Sequence, residues 1–113
     1  MYVEERIYQL KIGTAPQYLK HYEEEGMAIQ LKHLPHMVGY YSTEIGPLNT
    51  IVHLWAYESL DQRDRCRAAM SSDPAWQSYL GKVRPLLERQ ETRILKCAPF
   101  FLERLKKMLA AAK

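Results

Sequence analysis

One histidine stands apart by its surroundings. In "GYYSTEIGPLNTIVHLWAY", Gly39 to Tyr57, the second of two strand-like runs sets His53 among aliphatic and aromatic residues. Imidazole titrates at about pH 6.5 in the absence of other influences, which suits it to moving protons near neutrality. If strands over 36–45 and 49–57 are joined by a turn centred on Pro47 and Leu48, Tyr40 falls opposite Trp55, Ser42 opposite His53 and Glu44 opposite Ile51, all on one face. Ser42 would then hold the imidazole tautomer. Tyr40, Trp55 and Tyr57 would form an aromatic wall for a flat ligand. Two readings of His53 follow: an acid–base group in a ligand cleft, or a structural histidine hydrogen-bonded within the core or a dimer seam.

Arg6 and Tyr8 alternate onto one face of "VEERIYQLKI", residues 3–12. An arginine aimed into a sheet face needs an anion, which is either an internal carboxylate such as Glu44 or Glu91 or the carboxylate of a bound acid. With the tyrosines around it, this predicts a small aromatic or acidic ligand, touching Arg6, Tyr8, Tyr40, Ser42, Trp55 and Tyr57. No metal site is expected. His33 and His36 are close in "HLPH", but Pro35 breaks the helix between them and no third ligand is assured. Cys66 and Cys97 have neither redox nor zinc spacing, and no phosphate loop or evident nucleophile is present, so no cofactor is expected either.

These side chains must be positioned by a recognisable run of elements. Period-two alternation over 3–12 predicts a strand, with Arg6, Tyr8, Leu10 and Ile12 on one side and Ile7, Gln9 and Lys11 on the other. Thr14 and Gln17 have capping-box spacing and start a helix to about Leu31, its inner stripe read as Leu19, Tyr22, Gly26, Ile29 and His33, with Pro35 as the stop. The hairpin follows. Ser59 and Gln62 open a second helix, Asp73 and Pro74 a third containing Trp76, Tyr79 and Leu80, and Pro85 precedes a last strand in "ERQETRILKC". "PFFLERLKKMLAAAK" then reads as an amphipathic helical tail, to dock on its own domain, on a partner subunit or on a membrane surface.

Strand, helix, strand, strand, helix, strand is the ferredoxin-like split β-α-β order, an α+β fold with helices on one face of a four-stranded antiparallel sheet. The other face carries Tyr41, Thr43 and Ile45 against Leu54, Val52 and Thr50, and a second copy is its simplest cover. A homodimer is therefore expected, with residues 1–99 as the domain and 100–113 as the tail. Acidic residues such as Glu23, Glu24 and Glu25 break up a net charge of only +3, so no nucleic acid partner is expected. No apolar run approaches the ~20 residues of a membrane span, and no signal-peptide core is visible at the start, so a reducing, cytoplasmic setting is expected.

Three stretches carry a family resemblance: "ERIYQLKIG", "VGYYSTEIGPLNTIVHLWAYESLDQRDRCRAAM" and "DPAWQSYLGKVRPLLERQETRIL". Together, from Val3 to Pro99, they resemble the NIPSNAP family. The resemblance implies a dimeric α+β barrel and no settled biochemical activity; the larger eukaryotic members, which carry targeting sequences, are linked to mitochondria and to protein partners. Oxygenases and isomerases share the barrel only at the level of fold. Two functions are thus expected: a non-enzymatic small-ligand-binding or protein-interaction module, or a cofactor-free oxygenase or isomerase of a small aromatic or keto substrate, using His53 with Arg6.

Overall fold

The period-two pattern at the start of the chain forms β1 (Tyr2–Leu10), and the computed structural model describes residues 1–112. Helix α1 (Ala15–His21) passes through a π-helical turn at Tyr22–Gly26 into α2 (Met27–His33). Then come β2 (His36–Ser42), β3 (Thr50–Tyr57), α3 (Leu60–Ser71), α4 (Pro74–Val83), β4 (Leu87–Lys96) and α5 (Leu102–Ala111). The strands form one antiparallel sheet in the order β2-β3-β1-β4, so β1 is central and lies beside the strand that carries His53. This is the expected ferredoxin-like α+β fold.

The hairpin register differs from the sequence expectation. Tyr40 pairs with His53 and Ser42 with Ile51, a displacement of two residues from the predicted pairs, and a register shift between Met37 and Gly39 sets Met37 opposite Trp55. The turn is longer than one centred on Pro47 and Leu48: Gly46 and Asn49 adopt positive φ, of 128° and 58°, and residues 43–49 form an open loop closed by the Thr43 amide on the Thr50 carbonyl at 3.1 Å. Loop length, not the proline, sets the register. Because side chains alternate with period two, this even displacement changes the partners of Tyr40 and Ser42 and leaves both on their predicted face.

Two helix details also depart from the simple pattern. The Thr14 hydroxyl donates to the Lys11 carbonyl at 2.7 Å and makes no cap bond to α1. The inner stripe runs Tyr18, Tyr22, Gly26, Gln30 and Leu34, with Leu19 and Ile29 at its margins and His33 turned toward Asp73. The π turn inserts an extra residue into one turn and rotates everything after it. Gly26 is needed there. A Cβ at that position would lie 2.4 Å from the ring of Tyr79. The other caps form as expected: the Ser59 hydroxyl accepts from the Gln62 amide at 3.0 Å, and Asp73 accepts from the Ala75 amide at 2.9 Å.

Helices α1 to α4 cover the face bearing Leu10, Ile51, Trp55 and Tyr57, and Tyr18, Tyr22, Leu34, Met70, Trp76, Tyr79 and Val83 complete that core. The tail docks on its own domain. Leu105 and Leu109 of α5 pack on Ala56, Val3 and Val38, over one end of the second sheet face. Among the described residues, no helix is long and apolar enough to cross a membrane.

Candidate functional site

Alternation along β3 turns Ile51, His53 and Trp55 toward the helices, and His53 is only 1% exposed. The Trp55 indole N–H donates to His53 Nδ1 at 2.7 Å, which places the imidazole proton on Nε2. That Nε2 is closed off from solvent without a hydrogen-bond partner. Aromatic rings seal the imidazole. Tyr40 stacks on it at 4.7 Å between centroids, Tyr22 stacks on Tyr40 at 4.3 Å, and Tyr8 meets it edge-on at 4.8 Å. The Tyr18 and Tyr40 hydroxyls share a hydrogen bond of 2.9 Å. Burial, with further help from the Arg6 and Arg67 charges, lowers the His53 pKa to about 3. Burial likewise raises the phenols of Tyr18, Tyr22 and Tyr40 and pushes that of Tyr57 up to about 12. At neutral pH, therefore, the ring is uncharged and acts as a hydrogen-bonding member of an aromatic stack.

Ser42 is exposed at the end of β2 and does not face His53, so the expected serine–histidine pair is replaced by the Tyr40 stack. Arg6 does find an internal anion. It is neither Glu44, which lies in the exposed loop, nor Glu91, which sits opposite Ile7, but Glu4, two residues away on the same strand face. Glu4 is 0% exposed, and both of its oxygens are occupied: Oε1 by Arg63 Nε at 3.0 Å, and Oε2 by Arg6 Nη1 at 2.9 Å, Arg63 Nη2 at 3.1 Å and the Thr92 hydroxyl at 2.7 Å. Burial alone would raise this carboxyl. The Arg63 and Thr92 hydrogen bonds, with the charges of Arg67 and Arg6, outweigh that and hold it down at about 2.

A cavity of about 200 Å³ opens beside this cluster, between the sheet and α3–α4. Arg6 and Tyr8 of β1, Arg67 of α3, Trp76 and Leu80 of α4, and Arg84 just beyond α4 line it. Its remaining lining, Ser71, Gln77 and Gln90, is neutral, and no carboxylate faces it. The Arg67 guanidinium lies near the Tyr57 hydroxyl, yet its Nη1 and that hydroxyl are both buried with no completed hydrogen bond. Of the residues expected to touch a ligand, Arg6 and Tyr8 line this cavity, Tyr40 borders a separate open groove with Leu19, Tyr22, Met27 and Met37, and Trp55 and Tyr57 belong to the core. Sequence reasoning missed Glu4, Arg63, Arg67, Trp76 and Arg84. The signals were Glu4 in phase with Arg6 and Tyr8 on β1, and Arg63 and Arg67 four apart on one helix face.

A NIPSNAP family profile matches residues 3–101. The chain belongs to the NIPSNAP family. The resemblance between this NIPSNAP chain and the protein NipSnap homolog of Dictyostelium discoideum is 36% identity over 92 residues, covering 81% of the chain and 40% of that protein. With the human protein NipSnap homolog 3A it is 30% over 102 residues, covering 88% and 40%. The chain thus spans about two fifths of the length of these curated relatives. Among solved structures, a NIPSNAP family protein of unknown function from Agrobacterium tumefaciens superposes with a TM-score of 0.86 at 51% identity, covering 88% of this chain and 90% of that one. A crystal structure of an antibiotic biosynthesis monooxygenase superposes with a TM-score of 0.63 at 11% identity, covering 88% and 100%, which is likeness of fold alone. The family match ends at Phe101, so α5 lies outside it while Phe100 and Phe101 of the expected tail lie within.

Proposed function

We propose that this NIPSNAP chain is a homodimeric small-molecule-binding module, whose ligand enters the arginine-lined cavity beside β1 and is held there without proton transfer by His53. One observation carries the reading: the cavity presents arginines, amides, an indole and the hydroxyl residues Ser71 and Tyr8, but no carboxylate or histidine. An oxygenase or isomerase acting through His53 would need that ring to exchange a proton near neutral pH, and a sealed ring with its pKa at about 3 is poorly suited to that work. The second copy belongs on the open part of the second sheet face. There Tyr41 is 59% exposed and Val52, Leu54 and Ile7 are half-buried, beyond the end that α5 covers.

The test is a thermal-shift screen of small metabolites against the purified full chain, repeated on Leu80→Trp, which fills the cavity, and on His53→Asn. A ligand that binds only the folded state stabilises it by about 2.7 kcal/mol at a hundred times its dissociation constant, so binding is visible as a raised melting temperature. The shift should vanish in Leu80→Trp and persist in His53→Asn. A screen with no stabilising compound, or hits indifferent to Leu80→Trp, would remove the binding reading; conversion of a hit that requires His53 would restore the enzyme.

A further inference from the structure

Resting on the binding reading above, we infer that the cavity between β1 and α3–α4 takes a compact dicarboxylate, its two carboxylates held by Arg67 and Arg84 with Arg6 between the cavity and Glu4. Arg6, Arg63 and Arg67 gather around one carboxylate, Glu4, and its oxygens are already filled by Arg6, Arg63 and Thr92. Glu4 also feels the charge of Arg67, but a single carboxylate cannot balance three guanidinium charges. Arg67 and Arg84 form no ion pair with a described residue, yet both line the same cavity, which holds no acidic side chain. A guanidinium with a buried, unpartnered Nη1 is an unmet demand for an acceptor, and the planar fork of arginine matches a carboxylate in two parallel hydrogen bonds. Arg84, exposed at the cavity on a separate element, offers a second cation to a second anionic group.

Size and lining narrow the class. A volume of about 200 Å³ is below the ~300 Å³ lower end of common ligand pockets and equals the space of roughly seven waters, which suits a few-carbon acid and excludes a nucleotide. Ser71, Gln77 and Gln90 offer neutral hydrogen bonds along a polar ligand, while Trp76 and Leu80 give its short carbon chain a dry wall. Inorganic phosphate has no carbon chain and would leave that wall uncovered.

Succinate is the probe, followed by the tryptophan fluorescence of the full chain, since Trp76 lines the cavity and Trp55 does not. Succinate should bind saturably, with butyrate, inorganic phosphate and neutral succinamide each weaker by about tenfold or more, as expected for loss of a charge-assisted pair. Arg67→Gln and Arg84→Gln should each weaken succinate by about the same factor, whereas Arg104→Gln, on the outside of α5, should not. Arg84→Gln, whose side chain is exposed, should leave the melt of the unliganded protein unchanged, so that its loss of succinate binding is not a loss of fold. Should Arg67→Gln fail to fold, the exposed Arg84→Gln decides alone. Butyrate or phosphate binding as tightly as succinate overturns the dicarboxylate, as does indifference to Arg84→Gln. A neutral hit sensitive to Leu80→Trp would leave the binding module standing and remove only this inference, while silence from every compound removes both.

Discussion

The buried imidazole of His53 makes acid stability a measurement at single-residue scale. Folded, the ring is held neutral with its pKa at about 3; unfolded, it returns to its ordinary value of 6.5. The unfolded chain therefore binds the proton first. Its contribution to stability is complete above pH 6.5 and is lost as pH falls from there toward 3, by about 1.4 kcal/mol per pH unit once well below the upper value. Glu4, held at about 2 against 4.5, adds a second loss that begins only below pH 4.5. Melting curves between pH 7 and pH 5 should thus fall more steeply for the parent than for His53→Asn, whose amide oxygen can keep accepting from Trp55. Equal slopes would mean that the ring titrates normally. At this scale the sequence made His53 and Arg6 legible as unusual, because a histidine among apolar residues and an arginine in phase with a sheet face are local facts. It did not reveal Arg67 and Arg84 as cavity residues, since that depends on how α3 and α4 pack across β1.

At the scale of elements, two capping threads separate cleanly. Ser59→Ala removes an acceptor from the Gln62 amide at the start of α3 and should cost about 1 kcal/mol. Thr14→Ala removes only a bond to the Lys11 carbonyl in an exposed turn and should cost less, as read from denaturation midpoints of the two variants side by side. Equal losses would place a working cap at Thr14. Gly26→Ala addresses the π turn. Its added methyl would meet the buried Tyr79 ring, which itself packs against Trp76 and Tyr22, so overpacking should cost about 1 to 3 kcal/mol. A neutral Gly26→Ala would show that the ring yields freely. The capping motifs look alike in sequence, and only the orientation of the preceding turn distinguishes them.

For the whole molecule, the testable quantity is association. The open second face holds Tyr41, Val52, Leu54 and Ile7, with Glu5 and Arg93 paired across β1 and β4 beside them. Sedimentation of the parent at micromolar concentration should report a dimer. Tyr41→Asp should report a monomer with a nearly unchanged melt, because Tyr41 is already 59% exposed within one copy. A parent that sediments as a monomer would sink the homodimer. The docked α5 bears on the geometry: with Leu105 and Leu109 on Ala56, Val3 and Val38, a facing copy has the β2–β3 loop side of the sheet left to it.

What the sequence determined by itself is whatever depends on neighbours along the chain. Period-two and helical patterns, Ser59 and Asp73 as caps, and the order of strands and helices led to the split β-α-β fold, and an even error in register left each face intact because side-chain direction repeats every two residues. Tertiary structure alone decided the partners. Glu4, not Glu44 or Glu91, receives Arg6; Tyr40, not Ser42, lies against His53; α5 returns to the second face of its own sheet; and Arg6, Arg67 and Arg84 meet around one cavity. Each of these contacts joins residues whose distance in space is set by loop length, by the phase shift of the π turn and by helix packing, and none of those is written in the spacing of the residues that meet.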